Sequence, residues 1–174
     1  MTLSTRQIAD FNHNGFVIVE NLLDENDLDP VITEINAHVD RRARQLHDTG
    51  QLSNLFKDQP FECGLAALQR DCDLIHTGLD IMEMRGHAAF TFLHNQKLLD
   101  GVECLIGSEI FCNPIQHLRG MVPSSVNAPW HQDAGVYWPE GDQSLIVTCW
   151  IPLVDVNRAM DVWKSFQAYT IFVT

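Results

Sequence analysis

Ala128-Pro129-Trp130-His131-Gln132-Asp133-Ala134-Gly135-Val136-Tyr137-Trp138 is the run that decides what kind of fold this chain can build. In an extended strand, side chains at i and i+2 point to the same side, so the His131 imidazole and the Asp133 carboxylate would converge. One further ligand from another strand would complete a two-histidine, one-carboxylate set of the kind that holds iron(II) and leaves coordination positions open. A short His-x-Asp motif is weak by itself. A metal-binding pair and a buried, hydrogen-bonded His–Asp pair fit the pattern equally well. Pro129 and Trp130 stiffen the approach to it, and the aromatic residues Tyr137 and Trp138 follow.

Outward from this motif, the flanking residues read as strands. Glu109 to Leu118 is strand-like, with Pro114 marking an edge or a bulge. Ser124-Ser125 and Pro139-Glu140-Gly141-Asp142 read as turns. Ser144-Leu145-Ile146-Val147-Thr148-Cys149-Trp150-Ile151-Pro152-Leu153-Val154 is the strongest strand candidate in the chain. The N-terminal part has a helical texture. Ser4 and Gln7 form a capping-box pattern for a helix toward Asn14, and Gly15 breaks it before the β-prone run Phe16-Val17-Ile18-Val19. Asp24, Asp27 and Pro30 mark the start of a second helix running to about Asp48, with Val31, Ile32, Ile35, Val39 and Leu46 on its buried stripe. Residues 50–62 read as a surface loop. Cys63 to Met84 reads as partly helical through Leu65, Leu68, Ile75 and Leu79. Phe90, Leu93, Leu98, Leu99, Val102 and Leu105 describe one more helix, ended by Gly107. Helices first and closely spaced strands after predict an α+β fold with an antiparallel β core.

The chain of 174 residues, 45% hydrophobic, suits one domain with its own core. With 23 acidic and 11 basic residues its formal charge is -12, which argues against nucleic acid and anionic membrane as partners. Arg41-Arg42-Ala43-Arg44 is the local exception and reads as a solvated helix face. Five scattered cysteines without CxxC spacing suit reduced thiols rather than a disulfide framework. The N-terminus has no apolar signal core and no run of spanning length is present, so a soluble, cytoplasmic protein is expected.

Pro129-Trp130-His131-Gln132-Asp133, followed by Leu145-Ile146-Val147-Thr148-Cys149-Trp150-Ile151-Pro152-Leu153-Val154-Asp155, resembles the phytanoyl-CoA dioxygenase family of Fe(II)- and 2-oxoglutarate-dependent oxygenases. The likeness is specific over residues 110–157 and looser toward the N-terminus. It implies a double-stranded β-helix, the cupin-like jelly roll, with N-terminal helices. The division implied is 1–107 as the mainly helical part, 108–157 as the first jelly-roll strands with the motif, and 158–174 as a divergent tail, one domain in all. By position, His131 and Asp133 match two iron ligands. Gln132 and Trp150 match positions near the 2-oxoglutarate pocket, and Gln116 is a weaker match. For Trp150 and Gln116 the competing role is ordinary core or polar packing. Arg119 is open to a substrate carboxylate or a surface ion pair. His117 and His94 stand outside the family's third-ligand position, and Asn12-His13-Asn14 reads as a helix end. The implied activity is hydroxylation of a small organic substrate at a C–H bond, coupled to oxidative decarboxylation of 2-oxoglutarate.

All eight histidines lie at or before His131. Relatives carry their distal histidine, and then an arginine for the far carboxylate of 2-oxoglutarate, after the position of Asn157. Here Arg158 is the sole later arginine, and residues 158–174 contain no histidine, glycine or proline. The expectation is that a frameshift, alternative splicing or a mis-predicted gene end accounts for residues 158–174 and leaves the jelly roll incomplete at its C-terminal side. Three alternatives follow: an oxygenase represented by an incomplete chain, a non-catalytic binding or interaction protein on the same fold, and a cupin-like site completed by His117 or in trans. Substrate and oligomeric state are not legible.

Overall fold

The computed structural model describes residues 2–77, 79, 86–112, 144–155 and, for the backbone, 170–173. The N-terminal expectations hold closely. Ser4 caps α1 (Thr5–Asn14) with the reciprocal Gln7 bonds of a capping box, and Gly15 ends the helix in the left-handed region at φ 77. β1 (Phe16–Val19) follows, with Val17 and Val19 buried and Ile18 on the open face. α2 (Glu25–Asp48) is capped by Asp24 and Asp27, again as a reciprocal box. Pro30 lies inside this helix rather than at its first position. Val31, Ile35, Val39, Ala43 and Leu46 form its buried stripe, and Ile32 is only half-buried.

Next come α3 (Phe61–Asp71), a 3-10 turn (Asp73–His76), α4 (His87–Phe92) and α5 (Gln96–Ile106). The single helix predicted from Phe90 to Leu105 is therefore two helices. Asn95 separates them, because its side-chain oxygen accepts from the Lys97 and Leu98 amides at 2.9 and 3.2 Å and so starts a new helix.

Among the described residues the core forms two clusters. One joins α2 to α3, the 3-10 turn and Leu52; the other gathers Leu3, Phe11, Val17, Val19 and Leu22 beneath Leu98, Val102 and Leu105 of α5. Spacing of i, i+4 and i+7 puts those three α5 residues on one face.

The described sheet corrects the antiparallel expectation. It has three strands in the order β1-β3-β2, with β2 spanning Thr148–Trp150 and β3 spanning Thr170–Val173, and β3 pairs parallel to both neighbours. No hairpin enforces antiparallel pairing here, because β1 and β2 are separated by all the later helices and β2 and β3 by a long crossover. The strongest strand candidate, Ser144 to Val154, contributes only Thr148–Trp150. Glu109–Cys112 is not strand, and Phe111 there is 93% exposed; the remainder of that predicted strand lies outside the described residues. Part of the tail expected to diverge, Thr170–Val173, supplies the central strand of the sheet. The described architecture is thus mixed helix and strand. Among the described residues, no helix is long and apolar enough to cross a membrane.

Candidate functional site

Of the residues singled out for chemistry, Trp150 is the one on a described strand. Val147, Cys149 and Ile151 all pack against the cluster under α5. Alternation then turns Thr148 and Trp150 to the opposite face of the sheet, the same face to which β1 turns Phe16 and the half-exposed Ile18. Trp150 is half-buried and its register partner on β3 is Phe172. Its neighbour Cys149 sits in an apolar setting. Burial, together with the nearby Cys112 thiol, pushes the Cys149 thiol up to about 11.

His131, Gln132, Asp133, Gln116, His117 and Arg119 lie outside the described residues. His94 is described, and its Nδ1 is 3.2 Å from the Phe90 carbonyl oxygen, with the two rings 5.4 Å apart. That is a local helix-end contact, not a ligand geometry. His13 closes the exposed last turn of α1. Among the described residues, no group of three or more His, Cys, Asp or Glu side chains could hold a metal ion.

Two polar arrangements that bear on the framework have no sequence signal strong enough to find them. Glu34 of α2 reaches across to α4, where its carboxylate oxygens accept from the Ala88 and Ala89 amides at 2.9 and 3.0 Å. A Cβ at Gly86 would fall 2.1–2.3 Å from that carboxylate, so the absence of a side chain at 86 is what admits it. Separately, Lys97 Nζ donates to Asp24 at 2.7 Å and to Asp27 at 2.5 Å, while Asn95 Nδ2 donates to Asp27 Oδ1 at 2.9 Å. Asp24 is held below the usual carboxylate range first by its hydrogen bond from Lys97. For Asp27 burial pulls upward, but the bonds from Lys97, the Asp24 amide and Asn95 outweigh it and the net shift is downward. This clasp ties the N-termini of α2 and α5 together. The aspartates were visible as caps; their lysine partner is some seventy residues away, beyond any local pattern.

Compared with known families, residues 11–160 match the family model described as Phytanoyl-CoA dioxygenase (PhyH). No curated protein and no solved structure matches the chain. The matched region takes in the end of α1 from Phe11, β1, all the later helices, the His131–Asp133 motif and β2 with Trp150.

Proposed function

The chain belongs to the phytanoyl-CoA dioxygenase family, and from that membership we propose that it serves Fe(II)- and 2-oxoglutarate-dependent hydroxylation of a small organic substrate on a double-stranded β-helix. The observation that carries the reading is a family match over residues 11–160, a span that includes His131, Asp133 and Trp150. His131 and Asp133 would hold the iron. Gln132 and Trp150, with Gln116 as the weaker third, would line the 2-oxoglutarate pocket. Bound iron supplies activation of O₂ at the expense of 2-oxoglutarate. The chain's own residues orient the ligands and exclude water around them. Trp150 suits that second task, as a bulky ring on a strand whose alternate residues are anchored in the core.

One observation favours a second reading. No histidine follows His131, and Arg158 is the sole later arginine. The alternative is a non-catalytic binding or interaction protein on the same fold. Titration with Mn(II) as an iron surrogate, with and without 2-oxoglutarate, separates the two. The oxygenase reading expects metal binding that tightens with 2-oxoglutarate and weakens by about 10–100-fold or more in His131→Ala. His117→Ala should leave it unchanged, unless His117 is the third donor. Iron-dependent release of succinate from 2-oxoglutarate should vanish in His131→Ala. A folded protein that binds neither metal nor 2-oxoglutarate would establish the binding-protein reading instead.

A further inference from the structure

Asn14-Gly15 is the single Asn-Gly dipeptide in the chain, and it stands at the joint between α1 and β1. An asparagine carboxamide is open to attack by the backbone nitrogen of the residue after it, which closes a five-membered ring. Glycine, having no Cβ, hinders that approach least. Every other asparagine precedes a residue that carries a side chain. Asn14 is exposed, as are Asn12 and His13 before it. In the folded chain the Gly15 amide donates to the Phe11 carbonyl at 2.8 Å, and Asn14 keeps the helical backbone of the last turn. The nitrogen is therefore engaged, and ring closure needs Asn14 to leave the helical region. This bond belongs to an exposed C-terminal turn, where helices open most readily.

We propose that Asn14 is a site of spontaneous deamidation, gated by the last turn of α1. When the turn opens, the Gly15 nitrogen loses its proton to hydroxide and bonds to the Asn14 Cγ. Ammonia leaves with a proton from water. A second water opens the succinimide at either carbonyl, giving aspartate or isoaspartate. Both products act on the fold. Each puts an anion at the C-terminus of α1, where the helix dipole disfavours it. Isoaspartate also adds a methylene to the main chain between Phe11 and Val17, which are 1% and 4% exposed in the same cluster. β1 is held in register against β3, Phe16 beside Thr170. The extra length thus falls on a joint anchored at both ends.

This modification is independent of the oxygenase reading. The test incubates the full chain at mildly alkaline pH, after a cooperative melt has established that it is folded, beside the same chain in urea. Peptide mass mapping follows deamidation, and isoaspartyl methyltransferase labelling follows isoaspartate. Asn14 should react ahead of every other asparagine, and Asn14→Gln should remove the signal. The folded-state rate should be about 10–100-fold below that in urea, as for a terminal turn open between about a tenth and a hundredth of the time. Equal rates would show that α1 gates nothing, and a still slower folded rate that the site is closed in the native protein. Another asparagine reacting first would show that Asn14 is not the site. Each of these results overturns the proposal. The purified isoaspartate form should also exchange its Val17 and Val19 amides faster than the parent, and unchanged exchange would refute the effect on β1.

Discussion

At the scale of single residues, the close approach at Gly86 makes a sharp prediction. In Gly86→Ala the new methyl displaces the Glu34 carboxylate, so the first amides of α4 lose their acceptors. The expected cost is about 0.5–2 kcal/mol in chemical denaturation, comparable to losing a cap. Glu34→Ala should cost a similar amount, and the double variant should cost little more than either single one, since both remove the same contact. Cys149 offers a second test. Its folded pKa of about 11 lies above the ordinary thiol value of about 9, so the thiol stays neutral at pH 8. Iodoacetamide at that pH should modify exposed Cys63 well before Cys149, as read by peptide mass spectrometry. The sign for stability follows: above pH 9 the unfolded chain ionises first, and the folded state loses ground until about pH 11. The His131–Asp133 reading rests on residue identity and family membership, and both residues lie outside the described structure. Glu34 was invisible, because nothing in a sequence says that a half-buried carboxylate will cap a helix more than fifty residues away.

Among the elements, the clasp between α2 and α5 governs behaviour in acid. The pKa values of Asp24 and Asp27 are held below the ordinary carboxylate value, so their contribution is fully present above that ordinary value and is lost as pH falls through their folded values. Lys97→Met should remove part of this dependence. The expected result is a lower melting temperature at pH 7, by about 1–3 °C, and a smaller further drop between pH 4 and 2 than in the parent, measured by calorimetric scans. Helices with strong local signals were legible almost to the residue. The Ser4–Gln7 box, Gly15 and the Asp24–Asp27 box each fix a boundary through contacts four residues apart or fewer. The split between α4 and α5 was not legible, since the apolar spacing from Phe90 to Leu105 is nearly continuous. Only the bonds made by the Asn95 side chain show that the chain restarts there.

For the molecule as a whole, β3 is the strand that joins the sheet. β1 and β2 each pair with β3 and not with one another. Ile171→Pro, which removes a backbone donor from a central strand, should cost on the order of 3 kcal/mol. Hydrogen exchange should show amides of both β1 and β2 losing protection together, whereas those within α2 should keep theirs. If only one edge strand loosens, the order of the sheet is wrong. This topology was beyond the sequence because parallel pairing between distant segments leaves no turn signature, and apolar alternation does not say which strand sits beside which. The pairing also has a consequence for how the protein is made. Val17 and its partner Ile171 are about 150 residues apart. During synthesis β1 emerges about 150 residues ahead of its neighbour β3 and stays without it over that interval. α1 and α2 can form during that interval from local contacts, so the wait falls on four apolar residues, Phe16 to Val19. They are the segment for which a chaperone that holds extended apolar strands would compete during synthesis.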